Sequence, residues 1–426
     1  PRRQYIPNQR VRRHHRLSIN KLTIAVRSVP MTKKQTVARN WWFVVTGFVY
    51  TLLIFARDWK AINRIGADTG YTYVPDAVKE NLWVLFKPFP EYFEISGRAA
   101  AEIVAIFPIR YHAIASSTVV NLIWVALGLF IYAMIFQESK NQVVSSLAGL
   151  VLIVAPHANE SSLGNIGMIK FPLTAAVAIA FCSSRAIIKY SKLIAIVALI
   201  AGLSQPILFV TTLPLLWLAK SPDRELRRKV LSLLIVVYGT FIIQVFKVGL
   251  SLAIKGRSGS SVKSLWPGMG LFWYSGIFFP TLFALLIFAL NTVKPIRNTK
   301  FSQIRYFLGV STIALAISCF ILGGIADRYF VAPMTLAWIS GILFLVDFVD
   351  IFKNIKKLTI AIAFVFALVP IVHWFEAGWF LTSGPTWTSE VDRATKFCID
   401  HPDSEVELFV SPWGYSETNC WQVLNK

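Results

Sequence analysis

Three aspartates follow the first apolar segment of the chain, and one of them is placed for acid–base chemistry. Asp68 lies between Gly66 and Gly70, where the backbone can approach a ligand closely. A carboxylate at such a position can deprotonate an acceptor hydroxyl. Alternatively, Asp68 caps a turn, for which the same glycines are suited. Asp58 is interpreted as an interfacial charge at the membrane border, and Asp76 as a helix N-terminal acid.

A second group of polar residues lies in the segment 157–167, between two apolar runs. His157, Asn159 and Asn165 can hydrogen-bond the hydroxyl groups of a substrate, and Glu160 is a second candidate base. A solvated turn is the alternative. Two potential metal ligands, His157 and Glu160, do not define a metal site without a third, so we predict neither a metal nor a cofactor.

The remaining candidate substrate-binding residues lie at the ends of apolar runs or in loops: Gln205, Lys247, Arg257, Asp327, Arg328 and Tyr329. Arg328 is suited to bidentate recognition of a phosphate, with Lys247 or Arg257 as helpers. In the alternative interpretation, Asp327 and Arg328 form an interfacial ion pair beside an aromatic-belt Tyr329.

Long apolar runs must position these residues. Of the 426 residues, 55% are hydrophobic and 15% are charged, against about 25% charged in ordinary globular domains. Many of the runs are long enough to cross a hydrocarbon layer about 30 Å thick. This composition excludes a soluble enzyme with one buried core and predicts a multi-pass membrane protein.

We predict about eleven transmembrane helices, two of which form a short hairpin. The hairpin is predicted because Ser204-Gln205-Pro206 interrupts one apolar run whose two flanks are both basic. The predicted spans are 41–56, 113–136, 143–155, 169–183, two within 193–219, 230–253, 272–292, 306–322, 331–348 and 358–375.

The first loop, 57–111, is predicted to carry two helices that lie on the membrane surface, 76–86 and 95–109. Arg98 and Glu102 are one helical turn apart in the second of these helices. They are therefore predicted to form an i,i+4 ion pair.

The charged residues are distributed unevenly between the two sides of this topology. The N-terminal segment and the even-numbered connections hold 27 Lys/Arg and 5 Asp/Glu, whereas the other side holds 16 Lys/Arg and 17 Asp/Glu. Because positive residues are retained in the cytoplasm, we predict a cell-membrane protein with a cytoplasmic N-terminus and an extracytoplasmic C-terminus. The net charge of +21 then indicates topology and attraction to the lipid bilayer, not nucleic-acid binding.

The chain is predicted to have three parts. These are a basic N-terminal segment (1–40), a polytopic transmembrane domain (41–375) and a small extracytoplasmic tail domain (376–426). In the tail, 387–399 has the pattern of an amphipathic helix and 405–411 alternates as a strand does.

Two of the four cysteines lie in the predicted extracytoplasmic tail. An oxidising compartment allows Cys398 and Cys420 to form a disulfide, and two reduced thiols are the alternative. Cys182 and Cys319 lie within predicted spans and are expected to be buried as small hydrophobic side chains.

Together these features resemble the GT-C superfamily of membrane glycosyltransferases, in particular polytopic actinobacterial members. The layout is similar: a long first external loop carries an acidic residue and two surface helices, and short spans and a small external tail follow. The similar segments are Asp68-Thr69-Gly70, Glu91-Tyr92-Phe93, Gly97-Arg98, Asn159-Glu160, Gly164-Asn165, Gly384-Pro385-Thr386-Trp387, Cys398 and Ser411-Pro412-Trp413-Gly414.

The resemblance implies an all-α transmembrane bundle with a small extracytoplasmic α/β cap. It also implies transfer of a sugar from a polyprenyl-phosphate donor to a cell-envelope glycan or glycolipid acceptor. The usual base of the superfamily, a carboxylate in the first loop, corresponds to Asp68. Ala67 stands where a second acidic residue is often found, so a metal-independent reaction is expected, with Arg328 near the leaving phosphate.

Two other classes of function remain open at the level of the sequence. A lipid or glycan flippase would need a polar route through the bilayer, and its polar groups would lie near the midplane. A non-catalytic membrane scaffold would use the external tail to bind a partner. The candidate polar residues lie on one side of the predicted topology, which favours the glycosyltransferase.

Overall fold

A computed structural model describes residues 33–66, 68–80, 82–88, 92–154, 164–248, 299–322, 327–351, 384–411 and 414–424. The chain divides into two units, Pro1–Trp42 and Phe43–Lys426. In the first unit, the described residues 33–42 are helical. The helical bundle, its C-terminal cap and the candidate site all belong to the second unit.

The described residues are mostly helical. The helices up to residue 351, labelled in chain order, are α1 Lys33–Asp58, α2 Val74–Lys79, α3 Ile95–Ala105, α4 His112–Ser139, α5 Gln142–Val154, α6 Lys170–Phe181, α7 Ser184–Gly202, α8 Leu213–Leu218, α9 Arg224–Val248, α10 Ser302–Leu322 and α11 Val331–Ile351.

Four stretches of helix are long and apolar enough to cross a membrane: Asn40–Asp58, Ile109–Ser139, Arg224–Phe246 and Val331–Val349. These helices indicate a membrane protein. Other predicted spans in the described residues are also helical, but several are short apolar helices of 10–17 residues. Because about 20 residues are needed to span the hydrocarbon layer, these helices do not establish eleven crossings. The spans predicted at 272–292 and 358–375 lie outside the described residues.

The predicted interruption at Ser204-Gln205-Pro206 is present. Helix α7 ends at Gly202, and a 3₁₀ helix begins at Pro206 and leads into α8. Proline suits the first position of a helix because its nitrogen has no hydrogen to donate. Helix α7 begins at Ser184, earlier than the predicted first arm, and it bends at Tyr190, whose backbone is non-helical. That α7 and α8 form a transmembrane hairpin stays a prediction.

Helix α6 is the most enclosed helix of the described bundle. All 12 of its residues are buried, and it contacts α4, α7, α10 and α11. Four alanines (Ala175, Ala176, Ala178, Ala180) give it the small surface that lets helices pack closely in a membrane. Cys182, just after α6, and Cys319 are both buried, as predicted.

The first loop contains helical turns, but its helices are shorter than predicted. The predicted helix 76–86 is divided into α2 and a 3₁₀ helix, Leu82–Phe86, and the predicted helix 95–109 ends at Ala105. Leu82, Trp83 and Ile106 expose their apolar side chains, as a helix lying on a bilayer would.

The predicted Arg98–Glu102 pair is wrong. Arg98 instead donates one hydrogen bond to Asp76 (2.9 Å) and one to the Lys87 carbonyl (2.9 Å). Helix α2 packs against α3 and places Asp76 beside the Arg98 guanidinium. Arg98 is almost fully buried and therefore requires a nearby anion, whereas the half-exposed Glu102 has less need of a cation. Asp76 thus has the structural role that its position in the first turn of α2 predicted.

The C-terminal cap consists of α12 (Trp387–Asp400), β1 (Glu405–Phe409), β2 (Tyr415–Asn419) and α13 (Cys420–Leu424). The two strands pair antiparallel, and a disulfide joins Cys398 in α12 to Cys420 in α13, the pairing that the sequence predicted. We use "cap end" for the end of the bundle where α1 ends and α4 begins, since the cap packs there.

At the opposite end of the bundle, α10 and α11 share a buried ion pair. The Arg305 guanidinium donates to Asp347 Oδ2 at 3.1 Å, and both side chains are almost fully buried. Thr299 Oγ1 and the Phe301 amide also donate to Asp347 Oδ2, at 2.7 and 3.2 Å.

We expect Asp347→Ala to destabilise the protein by about 3–5 kcal/mol, because it leaves the Arg305 charge buried and unpaired. The double variant Arg305→Met/Asp347→Leu should recover most of this loss. The measurement is the apparent melting temperature in detergent. A single variant as stable as the wild type would contradict the importance of the pair.

We also expect Cys398→Ala/Cys420→Ala to weaken the cap by about 3 kcal/mol, because the bridge closes a loop with a sequence separation of 22. Hydrogen exchange of residues 420–424 should become faster, whereas exchange in α6 should not change. Equal exchange of residues 420–424 in the two proteins would show that packing alone holds α13.

Candidate functional site

The segment that carries Asp68 is held on one side by the cap. The Ser411 amide donates to the Ile65 carbonyl (2.9 Å), and Gly66 pairs with Ser411 as an isolated parallel bridge. Ser416 Oγ donates to the Gly70 carbonyl (3.0 Å). The cap therefore pairs laterally with the backbone of the first loop, as a neighbouring β-strand would.

A close approach between Tyr71 and Gly414 reinforces this contact. Gly414 has a φ of +114°, and a Cβ atom at this position would overlap the Tyr71 hydroxyl. Only glycine satisfies both the backbone angle and the available space. Gly414, just before β2, therefore packs closely against the first loop.

The turn before α6 holds the other side of the segment. Asn165 Oδ1 accepts hydrogen bonds from Thr69 Oγ1 (3.0 Å) and from the Gly167 amide (3.1 Å). Thr69 Oγ1 also accepts a hydrogen bond from the Ile166 amide, at 3.2 Å. Gly167 faces the Tyr73 ring, and a Cβ at Gly167 would lie 2.9 Å from that ring.

Asp68 stands between these two attachments. It is half-buried, it has helical backbone angles, and it precedes a π-helical turn, Thr69–Tyr73. Its side chain makes no capping hydrogen bond to that turn. The capping role considered from the sequence is therefore wrong, and the carboxylate remains available for another purpose.

Glu94 is a fully buried carboxylate beside this turn. Its Oε1 accepts from Ser96 Oγ (2.7 Å) and its Oε2 accepts from the Gly97 amide (2.9 Å), so it caps the start of α3. The Gln244 side chain bonds both backbone groups of the preceding Phe93, with its Oε1 accepting from the amide at 2.8 Å. The Glu94 segment is thus fixed by α9.

Lys170, the first residue of α6, is buried in the same cluster. Its Nζ donates to the Tyr92 hydroxyl (2.5 Å) and lies 5.0 Å from the centroid of the Tyr92 ring. Its positive charge acts on Glu94. An ammonium group and a carboxylate are therefore buried together at the cap end of the bundle, where each lowers the cost of burying the other.

Burial raises the pKa of Glu94 above its usual value, and the Lys170 charge and the hydrogen bonds to the carboxylate oppose this effect. Burial also raises the pKa of Tyr73 well above its usual value, and the nearby charges of Glu94, Tyr92 and Asp68 raise it further. Asp68 is thus electrostatically part of the Tyr73–Glu94–Lys170 cluster.

Two other predicted site residues lie close to this cluster. The Tyr329 ring packs edge-on against Phe171, the residue after Lys170, at a centroid distance of 5.4 Å. Gln205 is buried and follows Ser204, whose Oγ accepts from the Ser96 amide at 2.9 Å. Tyr329 and Asn165 therefore lie near the start of α6, whereas Gln205 lies next to the residue that bonds the start of α3.

Other predicted site residues are not placed. His157, Asn159, Glu160 and Arg257 lie outside the described residues. Lys247 lies in α9, and Asp327 and Arg328 lie in a 3₁₀ helix, Asp327–Phe330, that also contains Tyr329, but their side chains are not described. Their assignment as substrate-binding residues, and that of Glu160 as a base, stays a prediction.

The interpretation of Asp58 as an interfacial charge is wrong. Its side chain is 1% exposed, and its Oδ2 accepts a hydrogen bond from Asn121 Nδ2 at 2.8 Å. Asn121 projects from α4 and is itself fully buried. Asp58 thus joins α1 to α4 and is closed to a substrate in this structure, unlike Asp68.

Sequence reasoning missed the buried members of the cluster, Glu94, Lys170, Tyr73 and Tyr92. A signal for Lys170 was present, because a lysine at the start of an apolar run without a nearby basic cluster needs a buried partner. Glu94 had no comparable signal, since several acidic residues precede it in the same loop.

No group of three His, Cys, Asp or Glu side chains that could hold a metal ion occurs within the described part of the chain. The donor set around Asp68 contains an ammonium group and tyrosines, which do not suit a divalent cation. Metal independence nevertheless stays a prediction.

No family model matches the chain, and no curated protein matches it. Among solved structures, it is similar to the crystal structure of the Archaeoglobus fulgidus oligosaccharyltransferase in complex with zinc and sulfate, with a TM-score of 0.47 and 14% identity. The match covers 85% of this chain and 56% of that one, so the chain spans little more than half of that protein's length. A likeness at this level establishes neither a family nor an activity.

The raised pKa of Glu94 predicts a pH-dependent stability. Between its usual pKa, about 4.3, and the raised value, folded protein keeps a proton that unfolded protein has lost, so stability falls as pH rises through this window. Glu94→Gln cannot titrate. We therefore expect the melting temperature of the wild type to fall relative to that of Glu94→Gln as pH rises from about 4. If the melting temperature of the wild type instead rises relative to that of Glu94→Gln over this pH range, the raised pKa of Glu94 is contradicted.

Proposed function

We propose that the protein is a membrane glycosyltransferase that moves a sugar from a polyprenyl-phosphate donor to a cell-envelope glycan or glycolipid, with Asp68 as general base. The observation that carries the proposal is the state of Asp68: a partly exposed, uncapped carboxylate on a doubly attached loop, beside a buried lysine, at the cap end of an apolar bundle. A base needs a reachable oxygen and a fixed position, and the partial exposure of Asp68 and the hydrogen bonds of Thr69 and Gly70 support this role.

The distribution of buried charge supports chemistry at one end of the bundle. In the described residues, Asp58, Glu94, Arg98 and Lys170 are buried toward the cap end. Among the described residues, the buried charges at the opposite end are those of the Arg305–Asp347 pair. A flippase would need polar groups along the bilayer midplane, whereas the buried charges of the described residues lie toward the two ends of the bundle.

The proposed reaction is a single displacement. Asp68 accepts the proton of an acceptor hydroxyl while the hydroxyl oxygen forms a bond to the anomeric carbon of the donor sugar. The bond between that carbon and the phosphate oxygen breaks, and its electron pair leaves with the polyprenyl phosphate. Arg328 near the leaving phosphate, as the resemblance to GT-C enzymes implies, would stabilise the developing charge.

The membrane orientation follows from the same proposal. Donor and acceptor would meet on the extracytoplasmic face, with the cap on that side and the basic N-terminal segment in the cytoplasm. The positive-inside distribution of Lys and Arg supports this orientation. The disulfide in the cap supports it too, because such bonds persist in oxidising compartments.

We expect Asp68→Asn to lower the rate of sugar transfer by about 10²–10⁴-fold, the usual contribution of a positioned general base. The assay is transfer of radiolabel from polyprenyl-phosphate sugars to a cell-envelope lipid extract by the purified protein. The melting temperature should change little, since Asp68 makes no capping bond.

Glu80→Gln is the matched control. Glu80 is an exposed carboxylate of the same loop and pairs with Lys87, so its removal should leave the transfer rate within about twofold. No labelled product with the wild type, across the set of donors, would refute the enzyme assignment. Full activity of Asp68→Asn would refute the role of Asp68 alone.

A further inference from the structure

A small cavity lies between the first loop and the cap, on the side of the loop that faces the strands. Its volume is about 190 Å³. Cavities that hold drug-sized ligands measure about 300–1,000 Å³, so this one suits a single ring-sized group. Gly70, two residues after Asp68, forms part of its wall.

The walls of the cavity are apolar and aromatic, and its rim is charged. Val74 and Val78 of α2 form one wall, and Trp387 of α12 and Trp421 of α13 form another. Trp387 is buried and donates its indole hydrogen to the Ile109 carbonyl (2.7 Å), so its ring cannot turn away. Trp421, by contrast, is 55% exposed and open to a ligand.

The rim carries hydrogen-bonding groups of both kinds. Lys79 at the end of α2 and Glu417 of β2 are exposed, and Gln422 of α13 is half-buried. Both Lys79 and Glu417 line the cavity, so it offers ammonium donors as well as carboxylate acceptors.

We propose that this cavity is the acceptor subsite and binds one neutral sugar ring of the acceptor glycan. The apolar face of a sugar ring packs on an aromatic face such as that of Trp421, while its hydroxyls both donate and accept hydrogen bonds, as the rim requires. An acyl chain would contact the apolar lining, but it could form no hydrogen bond with Lys79, Glu417 or Gln422. The identification as an acceptor subsite rests on the proposed glycosyltransferase function.

The cavity and the proposed base share a rigid support. The Ser416 hydroxyl in the cavity wall donates to the Gly70 carbonyl, and Thr69, between Asp68 and Gly70, is bonded to Asn165. A glycan held by one ring in the cavity would therefore be held at a fixed distance from Asp68. Fixing the reacting group in this way lowers the entropic cost of the transfer step.

The test measures saccharide binding separately from transfer. Saturation-transfer NMR with the full-length protein in lipid nanodiscs would use neutral trisaccharides (arabinotriose, mannotriose, maltotriose) and an acidic one, trigalacturonate, as probes. We expect at least one neutral trisaccharide to bind, and Trp421→Ala to weaken its binding about tenfold or more. Trp421→Phe, which keeps an aromatic face, should retain most of the binding.

The matched control is Trp83→Ala, because Trp83 is the more exposed tryptophan of the first loop and does not line the cavity. It should change binding less than twofold. Three results would overturn the proposal: no neutral trisaccharide binds, Trp421→Ala and Trp83→Ala bind alike, or a lipid chain occupies the cavity and saccharides do not displace it.

The two proposals can fail separately. Trp421-dependent saccharide binding without any sugar transfer would leave the cavity a glycan site and refute the enzyme assignment. Sugar transfer whose KM for the acceptor is the same in Trp421→Ala and the wild type would uphold the enzyme and refute the subsite.

Discussion

The hydrogen bond from Thr69 to Asn165 is the interaction on which the candidate site depends. It fixes the segment around Asp68 to the turn before α6, and the same Asn165 oxygen also accepts from Gly167 to order that turn. On the other side, Ser411 and Ser416 of the cap bond the backbone of the same segment. A loop held from two sides loses little further conformational freedom when a substrate binds, which is what a positioned base requires.

The buried charges at the cap end follow from the same arrangement. Lys170 can begin an otherwise apolar helix because Tyr92 and Glu94 meet it there, and Glu94 is held by its hydrogen bonds to Ser96 and Gly97. Neither charge would be tolerated alone at this depth. The pair and Tyr92 therefore link the segment that precedes α3 to the start of α6. Asp58 and Asn121 join α1 to α4 in a comparable way.

Much of the fold was predictable from local patterns. Apolar runs located the helices, Ser204-Gln205-Pro206 located the break after α7, and two cysteines in a polar tail indicated the disulfide. The contacts between distant segments were not predictable. Arg98 had a plausible partner in Glu102, but Asp76 reaches it because α2 packs against α3. Asp58 looked interfacial because its partner Asn121 lies 63 residues away in the chain. Asp68 was identified from its glycine neighbours. The roles of Lys170 and Glu94 could not be inferred in this way, because they depend on the two residues being buried together.

The central claim is that Asp68 is fixed at the cap end to receive the proton of an acceptor hydroxyl. The most direct measurement is a cryo-EM structure of the protein with a non-transferable polyprenyl-phosphonate sugar and an acceptor saccharide. The account predicts an acceptor hydroxyl within hydrogen-bond reach of the Asp68 carboxylate, about 2.6–3.2 Å, on the face of the anomeric carbon opposite the phosphonate. A sugar bound at the opposite end of the bundle, or an acceptor hydroxyl that approaches a different carboxylate, would contradict it.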